Sequence, residues 1–180
     1  MERKHTESII KGMTPFLPLL EAADGLTLGQ VCAVTGLGAS TIQNWVKRGF
    51  VSRPVGKKYH SRQLARILLI NALRDCMKLE SIGELMELVN GDANDTGDDI
   101  ISEEQLYDFL CEIIAAADEK APSFGELLPL IREVTRDYSS ESPENRQRLE
   151  KALEIMALAY TAGRYKQEAD LRFNSLKEGE

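Results

Sequence analysis

LTLGQVCAVTGLGASTIQNWVKRGF, running from Leu26 to Phe50, decides the fold. Thr27 followed by Gln30 is a capping box: the threonine hydroxyl accepts from the N–H three residues on, and the glutamine side chain reaches back. It starts a helix over residues 28–35 that turns Leu28, Val31, Cys32 and Val34 toward a core. Thr35-Gly36-Leu37-Gly38 ends this helix, with Gly36 able to take a positive φ. Ser40, with Gln43 three residues on, is expected to cap a second helix over 41–48. There Ile42, Trp45 and Val46 share the inward face, and Thr41, Gln43, Asn44, Lys47 and Arg48 form the polar, basic one. Gly49 ends it. Two short helices joined by a glycine turn are the expected outcome.

Working outward, Phe50 to Tyr59 (FVSRPVGKKY) is the one stretch with β character. Phe50, Val51, Val55 and Tyr59 suit short strands, Gly56 suits the turn between them, and Pro54 requires an edge. A small hairpin over these ten residues is expected. The chemistry suits a nucleic-acid duplex. A helix laid in the major groove reads base edges through Thr, Gln and Asn, while Lys and Arg neutralise phosphates. The candidate DNA-binding residues are Ser40, Thr41, Gln43, Asn44, Lys47, Arg48, Arg53, Lys57, Lys58, Tyr59 and Arg62. Arg66, one turn beyond Arg62, is expected to extend the positive field.

Residues 26–90 resemble the N-terminal winged helix-turn-helix of MerR-type transcription regulators. The likeness rests on ordered pieces: Thr27 to Cys32 for the capped first helix, Thr35-Gly36-Leu37 for the turn, and Thr41 to Val51 for the second helix and its glycine end. Lys57-Lys58-Tyr59 then echoes the end of the wing, Gln63 to Ile67 the next helix, and Leu79 to Leu85 the closing pattern. The chain also resembles a bacterial domain-of-unknown-function family carrying the Trp45 to Val51 signature. The resemblance implies a winged helix-turn-helix that binds double-stranded DNA. Three positions depart from the MerR pattern: Gln43 replaces an arginine, Val46 an acid, and Val55-Gly56-Lys57 the usual start of the wing. MerR-type chains continue into a long dimerising coiled-coil helix, whereas an acidic stretch interrupts this one.

Charge divides the chain at the same place. Residues 26–78 hold nine basic side chains against one acid, and residues 91–180 hold ten against twenty-one, within a net charge of −7. Asn90 to Asp99 (NGDANDTGDD) is rich in turn residues and reads as an exposed linker. The expected organisation is an extension over 1–25, a winged helix-turn-helix domain over 26–90, an acidic linker over 91–101 and a helical domain over 102–180. Capping patterns at Ser61, Ser81/Glu84, Ser102/Gln105, Ser123/Glu126 and Ser142-Pro143 predict helices near 62–77, 82–89, 103–118, 124–138 and 143–173. Pro129 should kink the fourth of these or delay its start. The fold class is therefore all-α: an N-terminal winged helix-turn-helix with a small β-hairpin wing, then a C-terminal helical bundle.

Leu106/Leu110/Ile113/Ala117, Leu127/Ile131/Val134/Tyr138 and Leu149/Leu153/Met156/Tyr160/Gly163 are apolar stripes at helical spacing. Most are expected to form an intramolecular core. The remainder would serve a homodimer through the C-terminal helices, with a small-molecule effector pocket as a weaker addition. Tyr107, Phe109, Tyr160, Tyr165 and Phe173 are the aromatic candidates for such a pocket.

No cofactor, metal or catalytic chemistry is expected. His5 and His60 are the only histidines, and neither stands in a nucleophile or zinc motif. Asp92, Asn94 and Asp98 resemble a calcium loop only loosely, with glycine and terminal glutamate misplaced. Cys32, Cys76 and Cys111 are odd in number and widely spaced, which suits a reducing cytoplasm. No apolar run approaches the ~20 residues of a membrane span, and no apolar segment follows Met1 to His5 as a secretory signal would require. The expected function is a sequence-specific, MerR-like DNA-binding transcription regulator, in the cytoplasm. The alternatives are an architectural or excisionase-like recombination accessory, and a protein-interaction module with no DNA role.

Overall fold

A computed structural model describes residues 11–91, 97, 99–120 and 124–178. Among these the chain is mostly helical, with one small antiparallel sheet. The elements run α1 (Leu17–Ala23), β1 (Leu26–Thr27), α2 (Leu28–Thr35), α3 (Ala39–Lys47), β2 (Lys58–Tyr59), α4 (Ser61–Leu73), α5 (Leu79–Asn90), α6 (Glu103–Lys120), α7 (Phe124–Val134) and α8 (Pro143–Glu178).

α4 is the hub. Every residue from Gln63 to Ile70 is buried, so this helix has no solvent face over two turns and must be covered all round. α2, β2, α5, α6 and α8 all pack on it, and α7 packs on α6 and α8. One hydrophobic core runs through all of them, from Met13 and Leu26 to Met156 and Tyr160.

Local signals account for many of the boundaries. The Thr27/Gln30 capping box forms as expected, and Gly36 ends α2 at φ +70. Ser142 Oγ accepts from the Asn145 N–H at 3.1 Å at the head of α8. Ser102 does the same for Gln105 at 3.2 Å, at the head of α6. Other caps lie elsewhere. α3 starts from Gly38 rather than Ser40, and α5 from Lys78 rather than Ser81. α4 follows His60, whose N–H donates to Gln63 Oε1. Ser123 lies outside the described residues. α7 runs through Pro129 without ending. α1 is an addition: Phe16 and Leu20 pack on the core, and Asp24 and Gly25 turn the chain out of the helix at φ +49 and +92.

Two regions differ from expectation. The hairpin over residues 50–59 reduces to one bridge, Val55 to Lys58, closed by Gly56 and Lys57 at φ +56 and +67. Positive φ at both central residues is what a two-residue hairpin turn demands. The regular ladder instead joins β2 to β1, with Leu26 opposite Tyr59 and Thr27 opposite Lys58. Buried Leu26 and Tyr59 draw these distant segments together.

The second region is the stretch expected to be an exposed linker. Asp92, Asn94 and Asp98, the loose calcium-loop residues, lie outside the described residues. The two ends of the stretch are packed: Ile101 is buried, the Ile100 N–H donates to the Val89 carbonyl at 2.9 Å, and buried Asn90 donates to the Ile101 carbonyl. α4 and α6 then pack side by side across this segment.

Candidate nucleic-acid interface

α3 is amphipathic in the sense its sequence requires. Ile42 and Trp45 are buried, with Trp45 only 4% exposed, and Val46 is half-buried. Ser40, Gln43, Asn44, Lys47 and Arg48 are exposed, and Thr41 is half-buried. The chain leaves α3 through Gly49 at φ +84, and Phe50 and Val51 re-enter the core. Arg53 and Lys57 then return on the solvent side. Gln43, Lys47, Arg53 and Lys57 thus line one shallow groove between α3 and the 55–58 turn, floored by Leu28, Val46 and Tyr59.

The basic residues proposed from sequence fall into two groups. Lys47, Arg53 and Lys57 are exposed, and among the described residues none of them forms a salt bridge. Arg48 is exposed but engaged. It pairs with Glu80 of α5, and its guanidinium lies 4.9 Å from the centre of the Phe50 ring. Glu80 is held below the usual carboxylate range by a backbone hydrogen bond and by Arg48. Phe50 is pinned from behind, since a Cβ on Gly83 would come within 2.8 Å of its ring.

The other proposed residues are turned to structural use. Lys58 lies in β2 and its Nζ donates to the Ala23 carbonyl, so it ties the turn to α1. Tyr59 is buried and cannot meet a duplex; burial raises its pKa, with a further push from Cys32. Arg62 pairs with Glu103 at 2.7 Å and with Asp99 at 3.4 Å. Arg66 is 4% exposed, pairs with Glu103 at 3.1 Å and donates through Nε to the Phe50 carbonyl at 2.7 Å. The positive field therefore does not continue onto α4. Burial alone would lower the Arg62 pKa, but the hydrogen bond to Glu103 and the charges of Glu103, Asp99 and Glu104 outweigh it and raise it.

Glu103 is the residue that reading by sequence missed. It sits in the first turn of α6 and is fully buried between two guanidiniums, where the helix dipole also favours a negative charge. The available signal was an acid beside a capping serine, which occurs at many helix starts. Gln63 and Arg66 complete the support: Gln63 Nε2 donates to the Arg53 carbonyl at 2.7 Å. The backbone that carries Phe50 and Arg53 is thus hung on α4, and α4 is clamped to α6.

The aromatic candidates for an effector pocket disperse. Tyr107 and Tyr160 border one cavity with Phe16, Val34, Asn71 and Arg74. Phe109 stacks edge-on with Tyr138 at 6.1 Å, and Tyr165 and Phe173 are exposed on α8. Burial pushes the Tyr107 hydroxyl far up, with Cys111 beside it, and pushes the Cys111 thiol up to about 12. These groups are packing elements that stay neutral. His60 is half-buried against Gly25.

Residues 25–110 match a family described as a domain of unknown function, DUF1836. The DUF1836 match opens just before β1 and closes within α6. It therefore encloses the α3 groove, the Arg48–Phe50 contact and the Arg62–Arg66–Glu103 cluster as one unit, and it agrees with the resemblance to a domain-of-unknown-function family. A curated relative, the uncharacterised protein YkrK of Bacillus subtilis (strain 168), is 31% identical over 104 residues. That alignment takes in 55% of this chain and 45% of the relative, so the chain spans less than half the length of the curated protein it matches. No solved structure matches the chain. Among the described residues, no helix is long and apolar enough to cross a membrane.

Proposed function

We propose that α2, α3 and the 55–58 turn form a winged helix-turn-helix that binds double-stranded DNA, and that the protein is a sequence-specific, MerR-like transcription regulator. The observation that carries this reading is the groove that gathers Gln43, Lys47, Arg53 and Lys57, with Asn44 on the same exposed helix. α3 offers amide side chains able to bond base edges, flanked by cations with no salt-bridge partner among the described residues. Its other face is anchored by Ile42 and Trp45, so these groups sit on a rigid element. The net charge of −7 works against general affinity for DNA, which favours a local, oriented contact over non-specific coating.

The reading is tested by selection from a random duplex pool with the purified full chain, followed by mapping of bound sites in the native host. Enrichment of a defined motif near promoters supports the regulator. A defined motif remote from promoters supports a recombination or architectural role. Absence of enrichment at low salt removes DNA as the ligand and leaves a protein-interaction module.

A further inference from the structure

α8 is held to the body along one face. The body covers the stripe that carries Leu149, Leu153, Met156 and Tyr160, and leaves Ile155, Leu158 and Phe173 exposed. Where α8 passes the end of α4, Gly163 lets the two come close: a Cβ there would sit 3.3 Å from the Asp75 Cβ. Beside this contact lies a cavity of about 480 Å³, within the roughly 300–1,000 Å³ of small-molecule sites. Its walls come from two sources. Thr35, Asn71, Arg74 and Tyr107 belong to the matched domain over 25–110, whereas Lys11 and Phe16 precede it and Tyr160 and Gln167 follow it. Ligand sites favour such seams.

The lining is divided by chemistry. Phe16, Leu68, Tyr107 and Tyr160 are buried or half-buried and make it apolar and aromatic inside. Asn71 is a polar break in the apolar run of α4 over residues 67–73. One of its amide N–H groups donates to the Thr35 carbonyl at 3.4 Å, a long contact, and the amide carries a second donor. The charged groups are Lys11, Arg74 and Arg164 against one carboxylate, Asp75. Asp75 accepts from Gln167 Nε2, and Arg164 is held by Asp118 at 2.7 Å. Lys11 and Arg74 are exposed and form no salt bridge among the described residues. In a chain of net charge −7, two cations without a carboxylate beside a partly apolar cavity call for an anion from outside. An amine would meet them as like charges, and a neutral molecule would leave them unused.

We infer that this cavity binds a small organic monocarboxylate. Its aromatic or branched aliphatic body lies against Phe16, Tyr107 and Tyr160, and its carboxylate is held by Arg74 with Lys11 alongside. Arg74 is the principal contact, because a planar guanidinium receives a carboxylate through two parallel hydrogen bonds. The inference does not depend on DNA binding.

Titration calorimetry of the full chain tests it, with benzoate, phenylacetate, naphthalene-1-acetate and 4-methylpentanoate as probes, each beside its primary amide. At least one carboxylate is expected to bind saturably at one site per chain. Its amide should bind roughly tenfold more weakly or worse, since a hydrogen-bonded charge is lost. Arg74→Gln should bring the acid down to the affinity of the amide with the circular dichroism unchanged, and Arg74→Lys should keep part of the preference. Ala72→Phe, which places a ring into the cavity from its wall, should block acid and amide alike. Failure of every carboxylate to saturate, equal affinity for acid and amide, or an affinity indifferent to Arg74→Gln would each overturn the proposal. So would binding that survives Ala72→Phe in a folded chain, because the ligand would then sit elsewhere.

Discussion

The basic residues of α3 and its neighbouring turn, and those of α4, look alike in sequence, being separated by only a few residues in one acid-poor run. Their surroundings make them different objects. Lys47, Arg53 and Lys57 stand in water around a groove, with no salt bridge among the described residues. Arg62 and Arg66 converge on one buried carboxylate, Glu103, brought from α6. Exposed cations cost the fold little and stay available to a polyanion. Buried ones are structural, because a charge removed from water must be paired. A count of nine basic residues thus overstates the interface, and the contrast can be broken by mutation.

The largest effect is expected at the buried cluster. Glu103→Ala leaves the buried Arg66 without its counter-charge and Arg62 with Asp99 alone, and should cost about 3–5 kcal/mol of stability, read by urea unfolding. A loss under 1 kcal/mol would mean that water enters the cluster and that the contrast is weaker than drawn.

On the exposed side, Asn44→Ala should leave stability unchanged and reduce specific DNA affinity by about 1–3 kcal/mol, the discrimination that one bidentate bond to a base edge supplies. The measurement is fluorescence anisotropy on the selected motif and on a scrambled duplex. Equal affinities for wild type and variant on both would remove α3 as the reading element.

A smaller effect is expected from Arg53→Ala with Lys57→Ala. These residues would touch phosphates, so affinity should fall alike on specific and random duplexes, and the slope of log affinity against log salt should drop by up to about two. A selective loss on the motif would instead make the turn a base-reading element. The smallest effect on binding is expected at Arg62. Arg62→Gln should destabilise the fold yet leave the salt slope unchanged, because its charge is spent on Glu103 and Asp99. A slope lowered by a full phosphate contact would return Arg62 to the interface.

How much was legible follows from the range of each interaction. The Thr27/Gln30 box, the Gly36 and Gly49 helix ends and the Ser142 start of α8 are contacts within four residues, so their pattern is written along the chain. The buried faces of α2 and α3 follow from the period of apolar residues, and Trp45 is inward for that reason. The Val55 to Lys58 turn is local too, and Gly56 marks it. The candidate groove was half legible: Gln43, Lys47, Arg53 and Lys57 meet there as their polarity suggested, whereas Tyr59 and Arg66 are buried and the half-buried Lys58 and Arg62 are engaged by the Ala23 carbonyl and Glu103.

What sequence by itself determined about this protein is its helical class, the α2–α3 pair with one apolar and one polar face, and the sign of the charge around it. Tertiary structure alone decided the pairing of Leu26–Thr27 with Lys58–Tyr59, the union of Arg62 and Arg66 with Glu103, and which stripe of α8 the body covers. Each of these joins residues tens of positions apart, or chooses between two faces of comparable apolarity. Periodicity states that a face must be buried, but the neighbour that buries it is selected only when the whole core is assembled.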